Sequence, residues 1–140
     1  MPLLETARKF FDALNAHEME TVASMIAPTG QVHTPIGSFT GGRAFSDWMV
    51  NQFRAIPDFT HEVRGLSAEQ GDTIAFELHA FGTFSGPLSL GGADIAPTNR
   101  KIDVSAVDFW RFENGLIAEY HLYFDRMDFF GQLGINPPSA

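Results

Sequence analysis

The chain contains no cysteine, which excludes disulfides and thiolate metal sites. It carries 9 Lys and Arg residues against 17 Asp and Glu residues, so its formal net charge is −8, and the basic residues form no cluster. Nucleic acids and anionic membranes are bound by basic patches, so the sequence predicts neither as a partner. No segment approaches the roughly 20 apolar residues of a membrane helix, and the first ten residues lack the apolar stretch of a signal peptide. These absences predict a globular protein of the cytoplasm.

Length and aromatic content set what the chain can build. At 140 residues it is expected to form a single domain, residues 1–140, that buries roughly two-thirds of the surface of the unfolded chain. Phe accounts for 14 of these residues. So many rings must pack in a core, in an oligomer interface or around a flat apolar ligand.

Helical patterns occupy the first part of the chain. Apolar residues recur at helical spacing over residues 3–15, which predicts an amphipathic helix. A shorter helix is predicted for 19–27, and a third for 43–55, after two consecutive glycines. A short strand is expected between them, at 31–34.

Strand patterns follow and are paired by turns. Residues 60–66 and 73–84 flank a Gln-Gly-Asp turn, and residues 101–112 and 116–124 flank Asn114-Gly115. Asn-Gly between two apolar runs is the strongest short-range signal for a hairpin, because both residues tolerate positive φ. Gly, Pro and Ser dominate 85–98, which is predicted to be a loop or lid, and 132–140 is predicted to be an irregular tail.

Helices followed by antiparallel strands indicate an α+β fold. We expect a cone-shaped, curved antiparallel sheet that packs against the N-terminal helices and encloses an apolar cavity, where a ligand would bind. A two-residue turn at Asn114-Gly115 and strict alternation would divide the side chains of the second hairpin between two faces. One face would carry Asp108, Trp110, Glu119, His121, Tyr123 and Asp125, and the other Phe109, Arg111, Ala118, Tyr120 and Leu122.

Asp125 is the first candidate for chemistry. It follows the aromatic strand that ends at Phe124 and precedes a short helix. Burial in apolar surroundings would favour its protonated form, as proton transfer near neutral pH requires. The alternative is that Asp125 is a helix N-cap. The two roles are compatible, and the residues alone do not separate them.

Three segments carry a family resemblance. They are IPDFTHEVRGLSAEQGDTIAFELHAFGTFSG (56–86), APTNRKIDVSAVDFWRFENGLIAEY (96–120) and the closing D-x-x-x-x-x-GQLG that begins at Asp125. Their order and spacing resemble the SnoaL-like polyketide cyclases of the nuclear transport factor 2-like superfamily. The resemblance implies that Asp125 is the acid/base of an intramolecular aldol cyclisation or an isomerisation. Such a reaction on a hydrophobic, oxygenated small molecule needs neither a metal nor an organic cofactor. It also implies a bacterial protein and a homodimer formed through the convex side of the sheet.

The departures from the family pattern favour an alternative function. Arg111 stands where the cyclases have a pocket histidine, and Phe109 and Phe84 stand at positions that are polar in the family. Leu122 occupies the place of the strand aspartate of limonene epoxide hydrolase, which argues against epoxide hydrolysis. The alternative is a non-catalytic domain of the same fold that binds a ligand or only dimerises.

The remaining site predictions concern the cavity. Arg111 either faces the cavity, where it would bind an anionic group, or forms a surface ion pair with Glu113 or Glu119. The resemblance also implies that His33, on the first short strand, contributes a polar group to the cavity. The histidines lack metal-ligand spacing, so no metal site is predicted. Trp110, His121 and Tyr123 are assigned to a dimer surface. The predicted substrate pocket comprises Trp48, Phe53, Phe84, Phe109, Tyr120 and Leu122.

Overall fold

A computed structural model describes residues 3–136 of the chain. The elements follow in the order α1 (Leu3–Asn15), α2 (Met19–Ser24), β1 (Ile26–Thr34), β2 (Gly37–Thr40), α3 (Gly42–Ala55), β3 (Thr60–Gln70), β4 (Thr73–Thr83), β5 (Leu88–Leu90), β6 (Ala93–Ile95), β7 (Lys101–Glu113), β8 (Leu116–Phe124) and α4 (Arg126–Leu133).

Six strands form one curved, open sheet in the order β2-β1-β8-β7-β4-β3, and β5 pairs with β6 in a separate hairpin. The predicted α+β class is confirmed. The sheet is not wholly antiparallel as predicted, because β1 runs parallel to β8. Helix α1 packs on β3 and β4, α3 on β1 and β2, and α4 on β7. The inner face of the sheet is therefore covered by helices.

The predicted helices and strands differ from the observed ones where pairing with a distant strand determines the secondary structure of a segment. The helix predicted for 19–27 ends at Ser24, because Ile26 pairs with Ile117 of β8 and so belongs to a strand. The predicted loop 85–98 contains the β5–β6 hairpin. The predicted tail 132–140 begins inside α4, and its residues 137–140 lie outside the described part of the chain. None of the helices within residues 3–136 is long and apolar enough to cross a membrane.

The hairpin of β7 and β8 contains a β-bulge that sets which side chains face inward. Asn114 and Gly115 both have positive φ, 52° and 79°, as the predicted two-residue turn requires. Residue pairing then runs regularly from the turn to Phe112 opposite Ile117, but the next pair is Arg111 opposite Glu119. Ala118 is thus an extra residue that no partner opposes.

This bulge overturns the face assignment made from strict alternation. Asp108 pairs with Leu122 and Trp110 with Tyr120, so these four side chains share the inner face. Phe109, Arg111, Glu119, His121 and Tyr123 share the outer one. Alternation failed because it counted Ala118 as a regular strand residue.

The core lies between the inner face and the helices, and its largest buried side chain is Trp110. The Trp110 ring centroid is 5.0 Å from that of Phe10 on α1, 5.1 Å from that of Phe76 on β4 and 5.0 Å from that of Tyr120 on β8. Trp110 is completely buried, so it is not part of an outer dimer surface as predicted.

Candidate functional site

A cavity opens next to this aromatic cluster, between the inner face of the sheet and the helices. Its volume is about 60 Å³, measured as the space that the centre of a water molecule can enter. Its lining consists of Phe11, Leu14, Ile36, Phe45, Trp48, Met49, Gln52, Phe59, His61, Leu78, Ala80, Val104, Ala106, Asp108, Tyr120, Leu122, Phe124 and Phe129. The lining is almost entirely apolar.

Regular secondary structure positions most of these side chains. On α3, Phe45, Trp48, Met49 and Gln52 follow the i, i+3, i+4, i+7 spacing of one helix face. On the strands, alternate residues point inward, so β7 contributes Val104, Ala106 and Asp108, and β8 contributes Tyr120, Leu122 and Phe124. Asp108 is thus placed in the cavity wall by the same alternation that places its apolar neighbours.

Asp108 is the most unusual residue of the cavity. It is completely buried, and neither carboxyl oxygen has a hydrogen-bond partner among the described residues. Desolvation by burial raises the pKa of Asp108 to about 7. The Tyr120 hydroxyl and the Trp110 indole N–H lie close enough to offset this rise in part, without reaching hydrogen-bond geometry. Near neutral pH the carboxyl group therefore exists in both protonation states.

Sequence reasoning did not select Asp108, although a signal was present. The inward positions of β7 are otherwise apolar: Ile102, Val104, Ala106, Trp110 and Phe112. A carboxyl group within such a series has to be buried, and a buried carboxyl group has a perturbed pKa. The period-2 pattern of residues 102–112 therefore contained the information needed to find it.

Three other side chains bring polar atoms to the cavity. His61 is half-buried, and its imidazole packs between aromatic rings, with centroids 4.6 Å from that of Phe59 and 5.8 Å from that of Phe11. Its Nδ1 has no hydrogen-bond partner within residues 3–136, and burial lowers the pKa of His61 to about 4. Desolvation, with the neighbouring Asp108, raises the pKa of Tyr120 well above its usual value. Gln52 is 5% exposed. His61 and Tyr120 are therefore neutral at pH 7.

Asp125 does not line the cavity. Its side chain is exposed, and its Oδ1 accepts a hydrogen bond from the backbone N–H of Asp128 at 3.0 Å. This is the geometry of a helix N-cap, in this case of α4. Its neighbours Phe124 and Phe129 do line the cavity. The carboxyl group of Asp125 thus lies in solvent, whereas its predicted acid/base role depends on burial.

Arg111 and His33 lie on the outer face of the sheet, away from the cavity. Arg111 forms the surface ion pairs that were the alternative prediction, 3.1 Å from Glu113 and 3.5 Å from Glu119. The imidazole of His33 stacks on that of His121, with 4.8 Å between ring centroids. No group of three or more His, Cys, Asp or Glu side chains within residues 3–136 could hold a metal ion.

The predicted pocket residues divide into two groups. Trp48, Tyr120 and Leu122 line the cavity. The other three do not: Phe53 and Phe84 are buried elsewhere in the core, and Phe109 is 46% exposed on the outer face. Phe109 faces outward because it occupies an odd-numbered position of β7, between the inward-facing Asp108 and Trp110.

Comparisons with solved structures support the fold. The chain superposes with a TM-score of 0.79 on a candidate SnoaL-like polyketide cyclase from Jannaschia sp. CCS1, at 16% identity over 96% of this chain and 92% of that one. It superposes with a TM-score of 0.76 on IdmH, a candidate polyketide cyclase from Streptomyces antibioticus, at 24% identity over 94% of this chain and 97% of that one. It superposes with a TM-score of 0.66 on an NTF2-like protein of unknown function from Cytophaga hutchinsonii, at 17% identity over 93% of this chain and 96% of that one.

These identities are too low to transfer an activity, so they show the fold alone. No curated protein matches the chain. The sequence profile of the SnoaL-like domain, however, matches residues 7–120, which is most of the chain. The protein therefore belongs to the SnoaL-like domain family.

Proposed function

We propose that this protein binds a hydrophobic, oxygenated small molecule in its cavity and catalyses a cofactor-independent proton transfer on it, with Asp108 as the acid/base. The observation that carries the proposal is a fully buried carboxyl group, without a hydrogen-bond partner in the described residues, in the wall of an apolar cavity. The ionised form of Asp108 would take a proton from the carbon next to a carbonyl group. The protonated form would return it to carbon or oxygen, which completes an isomerisation or an intramolecular cyclisation.

The electrostatics of the site suit this role. General acid–base catalysis is most efficient when the catalytic pKa lies near the working pH, and that of Asp108 is about 7. The neutral Tyr120 hydroxyl lines the same cavity and can donate a hydrogen bond to a developing enolate oxygen.

The cavity volume limits the substrate. About 60 Å³ exceeds the 10–15 Å³ that one water requires, but it is far below the roughly 300–1,000 Å³ of drug-sized pockets. A compact substrate fits without rearrangement. A larger one must displace the half-buried side chains of the lining, such as Trp48, Leu122 and Phe124.

The test is the exchange of the α-protons of cyclohexanone in D₂O, followed by ¹H NMR. We expect the wild-type protein to accelerate the exchange and Asp108→Asn to lower that acceleration by about 10²- to 10⁴-fold. Asp125→Asn is the matched comparison, because Asn retains the N-cap. Under the present proposal Asp125→Asn keeps the exchange. Loss of exchange in Asp125→Asn and not in Asp108→Asn would instead support the role of Asp125 implied by the family resemblance.

The second candidate function is ligand binding without catalysis. It is favoured by the position of Arg111 and His33 outside the cavity, which leaves Asp108 without a charged helper there. Cyclohexanone that shifts the amide NMR signals of cavity residues, without accelerated exchange, would establish this second function.

The cytoplasmic location and the bacterial source are predictions from the sequence. We also propose that the protein forms a homodimer through the outer face of the sheet. Val107, Phe109 and Tyr123 are 38%, 46% and 57% exposed on this face, which is a large apolar exposure for one surface. The double variant Phe109→Glu/Tyr123→Glu should sediment as a monomer at concentrations where the wild-type protein is a dimer. Met127→Glu, at an exposed position off the sheet, is the control. A monomeric wild-type protein at 100 μM would refute the dimer.

A further inference from the structure

We propose that the cavity also binds small organic cations, a class of ligand distinct from the neutral, oxygenated substrate of the proposed proton transfer. The inference rests on the cavity of the proposed function and is independent of its catalysis. Two features carry it: a buried carboxyl group that lacks a counterion, and a wall in which seven of the 18 lining residues are Phe, Trp or Tyr.

The charge of the lining is one-sided. Asp108 is the one carboxyl group among the described lining residues, and no Lys or Arg stands among them. His61, which comes from β3, is kept neutral by its own burial, so it does not balance an ionised Asp108. An ionised carboxylate enclosed in this way is costly unless it gains a partner of opposite charge. A cationic ligand supplies that charge, and a neutral ligand does not.

The rings of the wall favour the same ligand. Five Phe side chains, Trp48 and Tyr120 line the space. The face of an aromatic ring carries negative electrostatic potential and attracts ammonium groups, Trp most strongly. Trp48 is half-buried, and its ring is 5.9 Å from that of Phe45, so the two rings bound one side of the cavity together. The carboxylate and the rings would contact one cation from different sides.

The two ligand classes respond to pH in opposite directions. An organic cation binds to ionised Asp108, whereas a neutral oxygenated ligand accepts a hydrogen bond from the protonated form. With a pKa of about 7, the ionised fraction rises about tenfold between pH 6 and pH 8. The other titratable groups of the lining are Tyr120 on β8 and His61 on β3, and both stay neutral over this interval. The described lining residues of α1, α3, α4 and β4 carry no titratable side chain.

Isothermal titration calorimetry with tetramethylammonium chloride and tert-butanol tests the inference at constant ionic strength. Both probes have five heavy atoms and a similar shape, and tetramethylammonium keeps its charge at every pH. We expect its Kd to fall about tenfold from pH 6 to pH 8, and that of tert-butanol to stay constant or rise. Asp108→Asn should abolish the pH dependence and weaken tetramethylammonium binding at least tenfold at pH 8. Asp103→Asn makes the same change on the outer face of β7 and should leave both affinities unchanged.

A second variant keeps the test decisive if Asp108→Asn fails to fold. Trp48→Leu should weaken tetramethylammonium binding several-fold more than tert-butanol binding, because it removes a ring face and keeps an apolar side chain. Undetectable binding of tetramethylammonium at pH 8, an equal Kd at pH 6 and pH 8, or equal affinity for the two probes would overturn the inference. Cyclohexanone exchange without tetramethylammonium binding would overturn this inference alone. Binding without exchange would refute the proposed catalysis alone.

Discussion

Asp108→Leu is expected to raise the free energy of unfolding by about 4 kcal/mol at pH 8, although it removes a native side chain. Burial raises the pKa of Asp108 from 3.8 to about 7, and each pKa unit corresponds to about 1.4 kcal/mol. The folded protein therefore binds a proton that the unfolded chain has already released. Stability falls as the pH rises through this interval, from about 4 to about 7, and the full cost is present above it. Leucine has no proton to lose, so the variant avoids that cost.

The gain should depend on pH in a defined way. At pH 4 Asp108 is protonated in the folded state and only a little more than half ionised in the unfolded chain, where its pKa is 3.8, so the variant should gain about 1 kcal/mol or less. His61 acts over nearly the same interval with the opposite sign, because burial lowers its pKa from 6.5 to about 4. The cost of burying His61 is absent above pH 6.5 and grows as the pH falls from 6.5 to about 4. The two contributions therefore largely cancel in the wild-type protein between pH 4 and 6.5, and the pH dependence of Asp108 is visible in the difference between the wild-type protein and Asp108→Leu.

Urea unfolding of the wild-type and variant proteins at pH 4, 6 and 8 measures these differences directly. Asp47→Leu, at an exposed position of α3, serves as the control and should show no gain that grows with pH. If Asp108→Leu and the wild-type protein unfold at the same urea concentration at pH 8, the carboxyl group ionises without cost. Its place as the acid/base of the cavity would then lose its physical basis.

Trp110→Ala should lower the free energy of unfolding by about 3–5 kcal/mol, the usual cost of removing a fully buried aromatic ring. Trp110 has no exposed surface, and its ring centroid lies within 6 Å of those of Phe10, Phe11, Phe76 and Tyr120. These rings come from α1, β4 and β8, so one truncation leaves a hole where a helix and three strands meet. A loss of this size approaches the whole stability of many domains.

Two variants separate the packing of Trp110 from its polarity. Trp110→Phe keeps a ring and removes an indole N–H that has no hydrogen-bond partner within the described residues, so it should cost less than Trp110→Ala. Trp48→Ala removes a half-buried ring at the cavity and should also cost less. Urea unfolding of the three variants gives the comparison. An equal loss for Trp48→Ala and Trp110→Ala would show that the cluster around Trp110 is not the centre of the core.

The sequence contained most of the fold, because most of the elements have strong local signals. The apolar spacing of 3–15 predicted α1 with its observed bounds, and Asn114-Gly115 placed the turn between β7 and β8. The failures occur where distant strands decide the structure. Ile26 has a helical pattern around it but lies in a strand, because β8 pairs alongside it. The four-residue strand β2 was missed, since it is defined by pairing with β1.

The candidate site was less predictable than the fold. The resemblance directed attention to Asp125, and that residue stands one position after Phe124, which does line the cavity. Arg111, His33 and Phe109 lie outside it because strand parity, which local composition does not reveal, turns them to the outer face. Asp108 could have been identified from its inward position alone. What could not be read from the sequence is that its oxygens lack partners, because that depends on where Tyr120 and Trp110 place their donors.

The unopposed Ala118 also affects how this protein should be aligned with others. Spacing counted backwards from Asp125 crosses the bulge, so each count includes one residue that adds no length to the strand. In this chain Arg111 lies fourteen positions before Asp125. In a chain of the same architecture without the extra residue, the side chain fourteen positions before the corresponding aspartate would superpose on Trp110 in the core, and not on Arg111 at the surface. Gaps placed at Ala118 should therefore precede any transfer of residue roles across this hairpin.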